Sequence, residues 1–467
     1  MNVGRREFLA MPALLLAARA TDARIEELST SFEDFTYRAP YKFGGKEVDR
    51  VTVLNVRCRL SLKSGKTADG FASMPMGNVW SFPAPGVPYD TTLEAMKTLA
   101  GRIAGITRSF REYAHPLDVN HQLEPEYLKA AAETSRELKL PLPIPKLCML
   151  VTASPVDAAL HDAFGKLHGR NSFSVAGKEF VHYDLSHYLN HEFRGEYPDR
   201  YIAREPAKKI RMYHSAGASD PLTKADVTKP INDELPETLE DWIPYSGITA
   251  IKIKLNGNDL AWDADRVASI HRVTSRAQAK RSFTDWIYSL DFNERCPNVQ
   301  YLLDFDHKLS EKAPDAFQRV QYIEQPTARD LASDRANTMF EAAKLRPVVI
   351  DESLTGLDAL LLAREMGYTG VALKACKGQS QTLLLAAAAQ KYKMFRCVQD
   401  LTCPGAALVH SVGIAAHIPG VSALEANARE YVPSASKGWE KRYPGIFNVR
   451  DGYLSTSGLN GPGLGTS

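Results

Sequence analysis

The chain has 467 residues, 44% hydrophobic and 24% charged, an ordinary globular composition with length for two domains and sizeable cores. Lys+Arg of 57 against Asp+Glu of 55 leave a formal +2 with no dense basic run, which argues against nucleic acid and for a small-molecule partner. No stretch reaches about 18 uninterrupted apolar residues, so an integral membrane protein is not expected.

In chain order, "MNVGRREFLAMPALLLAARATDA" comes first. An Arg5-Arg6 pair, a short apolar run to Leu16 and the small-x-small triplet Ala18-Arg19-Ala20 resemble a twin-arginine export signal over residues 1–20. Export to the periplasm is expected; the alternative is a frayed helix on a cytoplasmic protein. Residues 21–47 read as a polar lead. "VDRVTVLNVRCRLSL" then alternates like an antiparallel strand, and "KSGKTADGFAS" turns into another. Helical patterns follow at 91–106, 126–138 and 154–169, the last ending at a glycine. Strands followed by helices make residues 48–178 a separate α+β domain.

Residues 179–208 show no periodic pattern and read as a linker or insertion. From 209 to 430 short apolar runs alternate with helical ones: "KIRMYHSAG", "GITAIKIKL", "IYSLDFN", "VQYIEQP", "RPVVIDES", "GVALKAC", "MFRCVQD" and "GVSALEAN". Eight strands with mostly helix-length connections predict a parallel TIM-type barrel. Residues 431–467 are Gly-rich and irregular. The six cysteines form no C-x-x-C pair and read as buried small apolar residues.

Reactive groups of such a barrel gather where its strands end. Those ends offer Lys252 and Lys254, then Asp291 with Asn293 and Glu294, Glu324 with Gln325, Asp351 and Glu352, Lys374, Gln399 and Asp400, and Glu425. In "AIKIKLNG" the two lysines share one strand face while Ile251 and Ile253 take the other. An isolated acid at a strand end is as often a helix N-cap as a ligand. Three from consecutive strands, Asp291, Glu324 and Asp351, have the oxygen chemistry that suits Mg²⁺. A lone strand-end lysine is usually solvated. Two aimed into one barrel beside a divalent cation predict an ammonium pKa lowered toward neutrality, which makes a base.

Taken together, "KIK", "DFNE", "IEQP", "DES" and "ALKACKG" at successive strand ends resemble the enolase superfamily, specifically the muconate lactonizing enzyme branch of its mandelate racemase and muconate lactonizing group. "SPVDAALHDAFGKLHG" is similar to the last cap-domain helix of that family, and "GPGLG" to its C-terminal signature. The resemblance implies a modified (β/α)7β barrel, with an α+β capping domain formed by the N-terminal region and the returning C-terminal tail. It implies one Mg²⁺, with Mn²⁺ as a substitute, on Asp291, Glu324 and Asp351. It also implies Lys254 and Lys374 as acid/base residues on opposite faces, with Lys252 supporting its neighbour. Asn293, Glu352, Gln399, Asp400 and Glu425 are expected around the ligands or the substrate. The implied reaction is removal of the α-proton of a small carboxylate through an enediolate. Its outcome is epimerization, racemization or cycloisomerization; acid-sugar dehydration and a noncatalytic binding barrel are the alternatives. A homo-oligomer is also expected.

Several positions depart from that pattern or compete with it. Gln399 and Asp400 stand where the mandelate racemase branch has a histidine. Asp304 and Asp306 rival Asp291, which is preferred because it opens Asp-x-Asn-Glu after an apolar run. "TSRAQAKRSFTDW" and "CPNVQYLLDFDHKLSE" are expected to carry small insertions. In "MPMGNVWSF" Met74, Met76 and Trp80 either line an apolar substrate pocket or pack the cap core. His187 and His191 read as a surface loop or subunit contact, and His410 and His417 as helix residues behind the barrel wall.

Overall fold

The computed structural model describes residues 18–466. All but the last three positions of the expected export signal lie outside that range. Among the described residues no helix is long and apolar enough to cross a membrane.

The cap is an antiparallel sheet of β1 (Ala23–Phe43), β2 (Lys46–Leu62) and β3 (Thr67–Pro75), backed by helices Tyr89–Ser109, Pro116–Glu137 and Lys146–Leu167. The stretch read as a polar lead is therefore a 21-residue strand, and the cap begins well before residue 48. Much of the middle of β1 is half-buried or exposed, so its sequence lacks the aliphatic face that marks β2. Its ladder with β2 shifts register between Thr36 and Tyr41, where Pro40 has no N–H to give. The third helix starts eight residues earlier than its sequence pattern indicates and runs through Pro155. Pro155 leaves the Val151 carbonyl without its helical donor, and the Ser154 hydroxyl donates to that carbonyl at 2.8 Å instead.

The region read as a linker is a packed connector of single helical turns. Phe180, Val181, Leu185 and Phe193 are buried along it, and Ala203 and Ala207 N–H groups donate to the carbonyls of His417 and Ala416. Anchors spaced irregularly leave no period to read.

All eight expected barrel strands form: β4 (Lys209–Ala216), β5 (Ala250–Lys254), β6 (Ile287–Asp291), β7 (Val320–Glu324), β8 (Val348–Ile350), β9 (Gly370–Leu373), β10 (Phe395–Val398) and β11 (Val421–Glu425). Each runs parallel to the next, and β11 pairs with β4 to close the ring. Helices or helical turns fill the seven crossovers, and only short turns follow β11, which is the modified (β/α)7β arrangement. The two segments expected to carry insertions belong largely to regular outer helices, Leu260–Lys280 and Val299–Lys312. The tail adds β12 (Tyr453–Ser455) beside the start of β4, then reaches the cap, where Leu464 N–H donates to Asp162 at 2.7 Å.

Inside the ring Tyr213, Ala250, Tyr322, Val349, Ala372, Cys397 and Ala423 form a closed apolar layer. Side chains two residues further along a strand point the same way, one layer nearer the C-terminal mouth. The barrel floor thus decides what the mouth displays. All six cysteines are buried and unpaired.

Candidate active site

Two residues beyond the floor stand Lys252 after Ala250, Glu324 after Tyr322, Asp351 after Val349, Lys374 after Ala372, Gln399 after Cys397 and Glu425 after Ala423. Asp291 joins them because it pairs in register with Lys254 on one side and Glu324 on the other. All are buried beneath the cap. β5 and β9 lie four staves apart in a ring of eight, so Lys254 and Lys374 stand on opposite sides of the mouth. Between them run β6, β7 and β8, bearing Asp291, Glu324 and, just past the strand end, Asp351.

The Lys252 ammonium donates to Glu324 at 2.7 Å, Gln399 at 3.0 Å and Glu425 at 3.2 Å, and lies 3.1 Å from Asp291. Lys254 donates to Asp291 at 2.5 Å, and Lys374 lies 2.8 Å from Asp351. Lys377, on the single 3₁₀ turn after Lys374, donates to the backbone carbonyl of Asp351 and to its carboxylate at 3.1 Å. Gln325 fixes the next loop: its side-chain oxygen accepts from the N–H groups of Asp351 at 2.9 Å and Ser353 at 3.2 Å.

Asp291, Glu324, Asp351, Glu352, Asp400 and Glu425 thus share one buried space with Lys252, Lys254, Lys374 and Lys377. If all ionise, carboxylates outnumber ammonium groups by two. Burial, with Asp351 adjacent, pushes Glu352 up to about 7, and burial with Glu425 adjacent does the same for Asp400. Burial opposes the ionised form of Asp291 too, but Lys254 and Lys252 outweigh it and hold that carboxyl below its usual range.

The expectation of a lowered ammonium pKa belongs to a site that holds a divalent cation; among the carboxylates alone, two of the lysines are held up. Burial pulls Lys252 down, yet Glu324, Glu425 and Asp291 together hold it well above its ordinary value; Asp351 does the same for Lys374. Lys252 and Lys374 thus serve as counter-ions to these carboxylates.

Among the described residues no group of three or more His, Cys, Asp or Glu side chains is drawn together as a metal site. The donor set nevertheless suits a hard divalent ion: carboxylate oxygens from three adjacent strands, Asp291, Glu324 and Asp351. Glu324 Oε2 is buried without a hydrogen-bond partner, an acceptor left open on the middle strand.

The remaining expected residues take varied positions. Asn293 N–H donates to Asp291 at 2.8 Å, Gln399 bridges Lys252 and the Tyr322 hydroxyl, and the Asp400 carbonyl accepts from Lys374 at 3.1 Å. Trp80 roofs the site, donating its indole N–H to Glu352 at 2.8 Å. Met76 is buried in the hydrophobic core, and Met74 packs against Cys403. Asp304 and Asp306 sit on the outer helix Val299–Lys312, away from any strand end. His187 stacks on Tyr183 with ring centroids 4.0 Å apart, while His410 and His417 lie on the barrel helix Gly405–His417 as expected.

Sequence reading passed over Lys377, Tyr41 and Phe43. "ALKACKG" contained the first signal, a second lysine three residues on, which one 3₁₀ turn returns to the same side. Phe35, Tyr37, Tyr41 and Phe43 recur at even spacings along β1, an aromatic alternation hidden among polar residues.

The family described as enolase C-terminal domain-like matches residues 234–467, half of the chain. The chain belongs to that family. Solved structures extend the likeness to the whole enolase-like fold. The muconate lactonizing enzyme of Pseudomonas fluorescens, complexed with muconolactone, superposes with a TM-score of 0.59 at 16% identity, over 96% of this chain and 97% of that one. An enolase from Bradyrhizobium complexed with magnesium and mandelic acid gives 0.57 at 16%, over 96% and 97%. The dipeptide epimerase of Enterococcus faecalis V583, complexed with Mg and L-Leu-L-Tyr, gives 0.60 at 13%, over 95% and 99%. None of the curated proteins matches this sequence. At such identities the superpositions speak to the enolase-like architecture, a closed parallel barrel under an antiparallel cap.

Proposed function

We propose that this chain is an isomerase that moves the proton α to the carboxylate of a small acid: removed and returned, it gives racemization or epimerization, and transferred once as a ring bond forms or breaks, cycloisomerization. One observation carries the reading. Two lysines stand on opposite sides of the barrel mouth, with Asp291, Glu324 and Asp351 displayed by the three staves between them. Asp291, Glu324 and Asp351 would hold one divalent cation, Mg²⁺ by their oxygen chemistry. When bound it supplies the positive charge that offsets the second negative charge building on the substrate carboxylate.

The chain's own groups do the rest. Lys254 reaches the α-carbon from the β5 side and Lys374 from the β9 side, so one takes the proton while the other delivers it. Whichever acts as base must first lose the proton its partner favours, Asp291 for Lys254 and Asp351 for Lys374. Lys252 holds Glu324 and Glu425 in place. Trp80 and Phe43 cover the site and exclude water, with ring centroids 4.1 Å from Lys374 and 5.8 Å from Lys254.

Dehydration of an acid sugar is the second reading, on the same scaffold. The test is proton NMR in D₂O with Mg²⁺ and a panel of N-acyl amino acids, dipeptides and acid sugars. Exchange at the α-position without net loss of water is expected; water loss favours the second reading, and no exchange on any acid ends both. We also propose export, on the strength of Arg5-Arg6 and the apolar run behind them. A periplasmic reporter fused after residue 23 should lose export when both arginines become lysine.

A further inference from the structure

Between the cap and the loop after β10 lies a cavity of about 40 Å³. Tyr41, Phe43 and Trp80 border it. Phe43 and Trp80 are also the rings set against the two opposed lysines, so the cavity shares two of its walls with the lysine cluster. Val48, Val51, Val79 and Leu401 add aliphatic walls. Leu401 presses on the backbone at Gly77: a Cβ there would lie 2.5 Å from Leu401 Cδ2, and the φ of 53° also favours glycine. An apolar contact thus seals the seam between cap and barrel at this point.

Most polar groups of the lining are already engaged. The Tyr41 hydroxyl contacts Ser215 Oγ at 3.0 Å, and the Tyr37 hydroxyl contacts Thr402. Asn78 gives its amide hydrogens to the Tyr89 carbonyl at 3.0 Å and Thr92 Oγ1 at 2.9 Å, and the Trp80 N–H goes to Glu352. Arg50 lies at the solvent edge, 4.4 Å from the Tyr89 ring centroid and 3.1 Å from both Asp90 oxygens. A substrate group entering here meets ring faces and methyl groups. A hydroxyl would surrender its water and find few open partners.

We propose that the substrate bears a compact apolar group on or next to its α-carbon, seated among Phe43, Val79 and Leu401, and that hydroxyl-rich acids are excluded. This rests on the carboxylate reading above and deepens it by naming the class of acid.

The experiment uses the full chain with Mg²⁺ and two isosteric pairs: N-acetylvaline with N-acetylthreonine, and isovalerate with 3-hydroxybutanoate. Affinity is read by isothermal titration and exchange by NMR in D₂O. The apolar member of at least one pair should bind about 100-fold more tightly, the size of discrimination a hydrophobic pocket achieves against an added hydroxyl. Val79→Thr, which puts a hydroxyl on the wall, should narrow that ratio while circular dichroism and Tm stay unchanged. Equal or reversed preference in both pairs overturns the apolar subsite, and α-exchange in the same samples then leaves the proton-abstraction reading standing. Apolar preference without exchange keeps the subsite and removes the reaction. Failure of all four acids to bind overturns both.

Discussion

The Trp80 indole N–H and the Glu352 carboxylate meet at 2.8 Å, although 272 residues separate them in the chain. This bond joins the cap to the acid that follows Asp351. The second oxygen of Glu352 is buried without a partner, so the indole is the carboxyl's one hydrogen-bond donor among the described residues. Trp80→Phe keeps a ring beside Lys374 and removes only that donor. A hydrogen bond to an ionisable group is worth about 1.5–3 kcal/mol, so kcat/KM should fall by about 10- to 100-fold with the fold intact. An unchanged kcat/KM would mean that the cap's hold on Glu352 is irrelevant to turnover.

The opposed lysines predict an asymmetric loss. Lys254→Ala should abolish α-proton exchange from one substrate enantiomer and leave some from the other; Lys374→Ala should show the reverse. General acid or base catalysis contributes about 10²- to 10⁴-fold, which sets the scale for the silenced enantiomer. Binding measured alongside should change far less. Equal loss of both enantiomers in each variant would contradict a two-faced mechanism.

Lys252 compensates Glu324, Glu425 and Asp291 from the centre of the cluster and is 1% exposed. Lys252→Met removes a positive charge and strands those carboxylates. Breaking a buried ion pair from one side costs about 3–5 kcal/mol. If the same acids bind a divalent ion, millimolar Mg²⁺ should recover part of that loss, raising the Tm of this variant more than that of the parent. Glu324→Gln, which weakens the middle ligand, should reduce the Mg²⁺-dependent rise in Tm of the parent. A Tm of Lys252→Met indifferent to Mg²⁺ would argue against cation binding at this cluster.

The barrel was legible because each strand carried its own signal. A short apolar run bounded by turns marked its existence, and a polar residue two past the floor layer marked what it displays. "AIKIK" is the clearest case, since period two alone put Lys252 and Lys254 inside with Ala250. β1 was not legible, because its partner face is largely aromatic and much of its length is exposed; only pairing with β2 makes it a strand. Lys377 escaped for a different reason. Its role depends on a 3₁₀ turn that reverses its direction, and a lysine beside a glycine looks like a solvated loop residue. Lys252 and Lys374 are held above their ordinary pKa because acids from five strands converge in space while lying scattered along the chain.

Buried histidines predict how acid unfolds the protein. His115, on the cap, is pushed down to about 3 by burial, and His410, behind the barrel, to about 4 by the same cause. His161 is also buried and held well below its ordinary value. In an unfolded chain each would titrate near 6.5, so between that pH and its folded value the unfolded state binds one more proton per histidine. Their contribution is fully present above pH 6.5 and is lost as pH falls toward 4, at about 1.4 kcal/mol per pH unit for each. His410→Gln keeps a side chain able to hydrogen-bond Gln379, the present partner of His410 at 2.8 Å, and removes the titration. Urea unfolding between pH 4.5 and 6 should then show a ΔG-versus-pH slope smaller by one proton than that of the parent. An unchanged slope would mean that His410 is solvated and protonated in the folded state, contrary to its 1% exposure.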